Sequence, residues 1–271
     1  MVRSLWTAAT GMNAQQVNVD TIANNLANVN TVGYKAQVGQ FKSLLYQTIQ
    51  TKTTSANGEE KPVGAQVGLG TRVASTTSMY TQGPLNASES QTDFALDGNG
   101  FFAIRGVDGE TYYTRNGNFT WAVDAFGNTL LTDVEGCPVL DREGNAIYVP
   151  EGVSAQKMVF QQSGEIGYNT PEGEYIALNQ QFGIYQFNNP SGLEKLSYSR
   201  LQQTDASGQA MLEGTNGTLN SKVCQYYLEG SNVQVADEMV NMIIAQRAYE
   251  MNSKAIQTAD SMLQTANELK R

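Results

Sequence analysis

Residues able to do chemistry are sparse in this chain, and their spacing assembles no reaction centre. There is no histidine, which removes the commonest general base and the commonest metal ligand. Asp93, Asp97 and Asp108 form a run of carboxylates. Two carboxyl groups alone suffice for glycoside hydrolysis, but these sit among Gly and Asn turn residues and read as solvent-facing. Asp97-Gly98-Asn99-Gly100 resembles the opening of a calcium loop without its later ligands. Gly68-Leu69-Gly70 lacks the third glycine of a dinucleotide fingerprint, and neither a Gly-Lys-Ser/Thr phosphate loop nor a Gly-x-Ser-x-Gly elbow occurs. Cys137 and Cys224 have no metal-ligand spacing and read as small apolar fillers. No catalytic, metal-binding or cofactor-binding residue is assigned, no cofactor is expected, and the chain does not read as an enzyme. A secreted wall-acting hydrolase on a helical stalk stays open as an alternative, because a carboxylate pair needs no histidine.

The elements that would have to position a site have an unusual layout. Both ends of the chain are helices with apolar stripes, and the stretch between them is short strands and turns. Leu5, Ala9, Met12, Gln16, Val19, Ala23 and Leu26 recur at the roughly 3.5-residue spacing of a coiled coil, interrupted once by Gln16. The first helix is expected from about Arg3 to about Asn28, ended by the Asn and Gly residues that follow. Val240, Ile244, Ala248, Met251, Ala255, Ala259, Met262, Ala266 and Leu269 make a second stripe. Its helix opens near Ser231-Asn232 and runs roughly 35 residues, beyond the usual globular length. Asp237 and Glu238 near its start and Lys270 and Arg271 at its end agree with the helix dipole.

Between the helices, Phe41, Leu44 and Leu45 have helical spacing, so a short helix or turn is expected there. Residues 46–64 are Thr-rich with a tight-turn pair at Asn57-Gly58, an extended excursion expected to fold back as a hairpin or to remain a polar loop. From about Thr71 onward, runs such as Phe101-Phe102-Ala103-Ile104 and Thr111-Tyr112-Tyr113-Thr114 alternate with Gly/Asn turns, the pattern of a β-sandwich or barrel-like domain. Phe101, Phe102, Tyr112, Tyr113 and Trp121 are its candidate core or edge. The expected fold class is α+β: long N- and C-terminal helices forming a coiled-coil-like terminal domain, with an all-β central domain. The expected boundaries are 1–30 for the first helix, 31–79 for a connecting segment, 80–228 for the β-rich domain and 229–271 for the last helix.

Composition narrows the partners. The net charge is −9 and no Lys/Arg cluster appears in the sequence, which argues against nucleic acid and against direct binding to anionic lipid. No apolar run is long enough to span a bilayer, so no membrane insertion is expected. The N-terminus lacks the continuous apolar core and cleavage site of a secretory signal; if the protein leaves the cytoplasm, it does so by a route that reads an uncleaved N-terminus. Charged residues are only 16%, and a weakly charged polar surface suits packing against copies of itself.

Residues 24–35, NNLANVNTVGYK, carry a resemblance. So do the opening MVRSLWTAATGMNAQQ, the internal TQGPLNAS, DGNGFF, YYTRNGNF and LEGSNV, and the tail SNVQVADEMVNMIIAQRAYEMNSKAIQTADSMLQ. Together they resemble the axial proteins of the bacterial flagellum, the rod and hook family, and within it the distal rod subunits most; a hook or proximal-rod member is the alternative. The match covers essentially the whole chain and is weakest over 155–221. The resemblance implies a structural subunit of the basal-body rod. Its paired terminal helices line a tube around the export channel, and its β domain forms the outer shell. It implies export through the flagellar type III apparatus, helical homo-oligomerisation into a rigid hollow drive shaft, and a periplasmic, cell-wall-spanning location. Other rod proteins, the hook protein and the bushing rings are the implied neighbours. The candidate assembly residues are Leu5, Met12, Val19, Ile22, Leu26, Val240, Ile243, Ile244, Ala248, Met251, Ala255, Met262 and Leu269. The other reading of the same positions is an ordinary amphipathic helix packed on its own domain. Asn24, Asn25 and Asn28 are candidates for amide bonding between subunits or for helix-end capping. Tyr46, Gln47, Thr48, Ile49, Asn57, Gly58 and Pro62 belong to the excursion, for which the resemblance implies a role in stiffening the rod.

Overall fold

The computed structural model describes residues 2–50, 65–124, 127–150, 152–170, 174–214 and 221–269. The chain divides into two compact units. One gathers Met1–Ala27, Gln37–Ser78 and Gln234–Arg271; the other gathers Asn28–Ala36 and Met79–Val233. An α+β fold with a helix at each end and a β-rich middle is therefore what the sequence forms.

The helical unit contains α1 (Val2–Ala27) and α2 (Val235–Glu268). Two contacts fix their direction. A Cβ placed on Gly11 would lie 2.9 Å from Asn252 Nδ2, and Asn25 Nδ2 donates to Glu238 Oε2 at 3.4 Å. Fourteen residues forward along α1 thus correspond to fourteen back along α2, so the helices pack antiparallel and in constant register. Gly11 faces Asn252 with no side chain between them, which allows a close approach at that level.

The same unit contains a long two-armed hairpin. Strands β1 (Gln37–Ser43) and β2 (Tyr46–Gln50) form the outgoing arm; β3 (Ala65–Gly68) and β4 (Thr71–Ser78) form the return. β1 pairs antiparallel with β4 from Gln37↔Ser78 to Ser43↔Thr71, and β2 pairs with β3 from Tyr46↔Gly68 onward. Phe41 therefore lies in a strand, not in a short helix. Its neighbours are too few for a stable isolated helix, whereas the Thr-rich β4 supplies a full ladder of partners. Residues 51–64, with Asn57, Gly58 and Pro62, lie outside the described residues.

The β unit contains β5 (Leu85–Ala87), β6 (Phe94–Asp97), β7 (Phe101–Arg105), β8 (Thr111–Thr114), β9 (Phe119–Val123), β10 (Thr129–Asp133), β11 (Tyr148–Val149), β12 (Met158–Phe160), β13 (Glu165–Asn169) and β14 (Tyr175–Gln181). It continues with β15 (Ile184–Gln186), β16 (Glu194–Lys195), β17 (Arg200–Gln202), β18 (Met211–Leu212), β19 (Lys222–Gln225) and β20 (Tyr227–Glu229). Its largest sheet has the order β16-β17-β8-β7-β15-β18, and the other strands form two- and three-stranded antiparallel sheets. β7 is buried on both faces. Phe102 and Ile104 enter one core with Phe94, Phe119, Phe160 and Phe182, while Phe101 and Ala103 enter a second with Tyr113, Phe187 and Leu201. This is the period-2 alternation of a strand between two apolar layers. The rings of the first core meet mostly edge to face, as at Phe94–Phe160 with centroids 4.6 Å apart.

α2 begins three residues later than Asn232. The reason is local: Asn232 is occupied as a backbone clamp. Its Nδ2 donates to the carbonyls of Met79 (2.8 Å) and Thr81 (3.1 Å), and its Oδ1 accepts from Ala36 N at 2.7 Å.

Candidate assembly surfaces

α2 carries two distinct stripes. The one facing α1 mixes small, polar and apolar residues: Glu238, Met242, Ala245, Asn252, Ile256 and Ala259 are buried or half-buried. The stripe read from the sequence lies about a third of a turn away at 3.6 residues per turn. Val240, Ile243, Ile244, Met251, Ala255, Met262 and Leu269 are all exposed, and only Ala248 is half-buried. The exposure is large where the side chains are large: 55% at Val240, 61% at Ile244 and 66% at Met251. On α1, the residues turned inward are Ala8, Gly11, Ile22 and Asn25, whereas Leu5, Met12, Val19 and Leu26 are half-buried. An amphipathic helix normally turns its widest apolar stripe to its own core; α2 does the reverse.

The asparagines divide. Asn25 is 1% exposed and works inside its own chain. Its Oδ1 accepts from Gln37 N and its Nδ2 donates to Gln37 O, both at 2.8 Å. The side-chain amide thus stands in for a strand partner and ties the start of the hairpin to α1. Asn28 accepts from Thr31 Oγ1 at 3.1 Å, a local helix-end bond. Asn24 is exposed. Tyr46, Gln47, Thr48 and Ile49 are exposed along β2. Among the exposed charges, Arg247 pairs with Glu250 at 3.0 Å within one helical turn, a contact worth little in water.

The β unit holds a polar centre that sequence reading passed over. Lys35, Arg115 and Glu229 are each nearly or fully buried. Glu229 Oε1 accepts from Lys35 Nζ at 2.6 Å and from Gly83 N at 3.0 Å, and its Oε2 accepts from Arg115 Nη1 at 3.2 Å. Lys35 Nζ also donates to Thr81 O, and Arg115 Nη2 to Gly98 O. Burial pushes the Lys35 ammonium below its ordinary range while Glu229 pulls it back; burial acts on the Arg115 guanidinium in the same direction. Gly33 completes the arrangement. Its φ of +69° and the 2.8 Å from its would-be Cβ to the Arg115 carbonyl carbon leave room only for glycine. The three ions come from the segments GYK, YYTRNGNF and LEGSNV, so three separate motifs converge on one buried carboxylate. The available signal was a lone charge inside each otherwise apolar or turn-forming string.

No group of three or more His, Cys, Asp or Glu could hold a metal among the described residues, and no helix is long and apolar enough to cross a membrane. Cys137 and Cys224 are free thiols.

Comparison with known proteins agrees with this architecture. Residues 5–35 match the flagella basal body rod protein family, residues 95–168 match the D1 domain of the flagellar hook protein FlgE/F/G family, and residues 225–269 match the C-terminal family of flagellar basal body rod FlgEFG proteins. The chain is 43% identical to the flagellar basal-body rod protein FlgG of Borreliella burgdorferi, over the whole of both chains. It is 40% identical to that of Agrobacterium fabrum, over 96% of this chain and 97% of the relative, and 36% identical to that of Bacillus subtilis over both full lengths. The chain belongs to the flagellar basal-body rod protein family.

Proposed function

We propose that this protein is a structural subunit of the distal rod of the flagellar basal body, polymerising helically into a rigid hollow shaft around the export channel. The observation that carries the assembly mechanism is the outward apolar stripe of α2. Val240, Ile243, Ile244, Met251 and Met262 keep half or more of their surface in water. Burying what remains exposed stabilises by roughly 1 kcal/mol per side chain, enough to offset part of the entropy lost on association. Repetition of one head-to-tail contact that does not close on itself generates a helix of subunits. In this reading Leu5, Met12, Val19 and Leu26 join the same surface, and the terminal helices pack coiled-coil-like with those of neighbouring copies. The other rod proteins and the hook protein adjoin the two ends of the stack, the bushing rings surround it, and the subunit reaches the growing tip through the type III export apparatus without a cleaved signal. The hairpin of β1 to β4 reaches between subunits and sets the stiffness of the shaft.

Ile244→Asp tests this directly. The side chain is exposed, so the isolated subunit should unfold within about 0.5 kcal/mol of wild type, while tubes visible by electron microscopy should be lost. Ala245→Asp, one residue along on the buried seam, should instead unfold the helical unit itself. Normal tubes from the Ile244→Asp protein would refute the assembly mechanism.

A further inference from the structure

We propose that a cavity in the β unit, lined by Tyr34, Lys35, Arg115, Lys195 and Arg200, is a binding site for a carboxylate group. The cavity measures about 140 Å³, room for a small carboxylate on a short apolar stem. Four cations line it in a chain of net charge −9. The carboxylate bonded to this set, Glu229, is shared by Lys35 and Arg115; Glu213 acts on Arg115, and Asp108 and Asp133 on Arg200, through space. Lys195 reaches the Lys35 carbonyl at 3.3 Å and stands 5.3 Å from the centre of the Tyr34 ring. Burial pushes its ammonium down to about 8, so it remains largely charged at neutral pH. The Nε–H groups of Arg115 and Arg200 are buried and find no acceptor among the described residues, an uncommon condition for buried donors. Arg115 itself is 4% exposed, so its guanidinium is held in place before any ligand arrives.

The backbone adds an independent sign. Ser199, which lines the cavity, and Tyr198 before it take φ values of 59° and 62°. Two consecutive non-glycine residues in the left-handed region hold strain, and such strain gathers at binding sites. The rest of the lining is mainly apolar, from Tyr34, Leu196 and Leu201. A cationic rim on an apolar floor selects a carboxylate carried on carbon over a fully hydrated anion. The carboxylate comes either from an acidic side chain of a neighbouring copy or from a free small acid.

The test uses the full chain in its unassembled state, with the arginine Nε–H resonances followed by NMR during titration with glutarate. Saturable movement of the Arg115 signal is expected with glutarate and not with the neutral glutaramide. Lys195→Met, which leaves the buried triad intact, should weaken glutarate binding about tenfold, the worth of one charge-assisted contact. No saturable movement, or equal movement with glutaramide, or equal affinity in Lys195→Met, would overturn the site. The source is read from assembly, and both results uphold the site. Glutarate that slows tube growth of the wild type, but not of Lys195→Met, identifies the neighbouring copy as donor. Glutarate that binds without changing growth identifies a free acid.

Discussion

Glu229→Gln removes one charge from the buried triad and almost no volume, which separates electrostatics from packing. In the native protein one carboxylate neutralises two cations: Lys35 on Oε1 at 2.6 Å and Arg115 on Oε2 at 3.2 Å. A glutamine can keep its oxygen toward Lys35 and Gly83, but its NH₂ then faces the Arg115 guanidinium, donor against donor. Removing one partner of a buried pair costs about 3–5 kcal/mol because the other charge is stranded. Lys35 has an escape, since burial already pulls its proton affinity down and it can become neutral. Arg115 has none, because a guanidinium does not deprotonate in proteins. The loss should therefore be about 4 kcal/mol. Lys35→Met is the control. It leaves Glu229 paired with Arg115 and loses mainly the bond to Thr81 O, for a cost of about 1–2 kcal/mol. In the double variant the two losses should not add, because Lys35 and Glu229 touch. Urea unfolding followed at Trp121, in a Trp6→Phe background that leaves this one tryptophan, reports on the β unit. Thermal midpoints should fall about 8–16 °C for Glu229→Gln in a unit of this size. If Glu229→Gln stays within about 1 kcal/mol of wild type, or if Lys35→Met costs more, the charge argument is wrong and the triad is only a packing feature.

Asn25→Ala should destabilise the helical unit by about 2 kcal/mol, because it strands both backbone groups of Gln37; the Gln37 amide should then exchange with solvent far faster in a hydrogen-exchange measurement. Burial, with Tyr185 beside it, pushes the Tyr113 phenol up to about 12. Its folded pKa lies above the ordinary 10.0, so its contribution to stability is complete below pH 10 and lost as pH rises toward 12. Tyr113→Phe should flatten the alkaline arm of the stability curve and remove one late-ionising phenol from a spectrophotometric titration. Deleting Gln47 to Pro62 should leave export intact but give bent or over-long rods by electron microscopy, and rods of unchanged straightness and length would dismiss the stiffening role.

What could be read from the sequence depended on whether a signal was local. α1 and α2 announce themselves by periodicity, and their observed ends differ from the expected ones by one to a few residues. Asn232 explains the largest shift, since its side chain serves three backbone groups instead of capping the helix. The strand content of the middle was legible from Gly/Asn turns and aromatic runs, but the division into one six-stranded sheet and several small ones depends on long-range pairings such as β19 with β6, which no local pattern encodes. Phe41 was misleading because apolar spacing in a short window does not distinguish a helix from an edge strand. Asn25 was seen but its use was not: one amide bonding both backbone groups of a residue twelve positions on cannot be told from a cap without coordinates. The Lys35–Arg115–Glu229 triad was invisible for the same reason, each cation standing more than 100 residues from Glu229.

The two stripes of α2 bear on how such a chain can be both a folded subunit and an assembling one. A helix with a single wide apolar stripe has to choose: buried at home, the stripe is unavailable for assembly, and left outside, it leaves the helix unsupported. Here the tasks fall on different faces. The inner seam combines the small residues Ala245, Ala259 and Gly11, which allow close approach, with half-buried Met242 and Ile256 and the Asn25–Glu238 hydrogen bond, which fixes register. The large side chains, Val240, Ile244 and Met251, stay on the outer face. In the proposed assembly, the inner seam holds the pair together within one chain, and neighbours that cover the outer stripe stabilise it further. The stability of the helical unit should therefore depend on subunit concentration, while that of the β unit, with its own two aromatic cores and buried ion triad, should not.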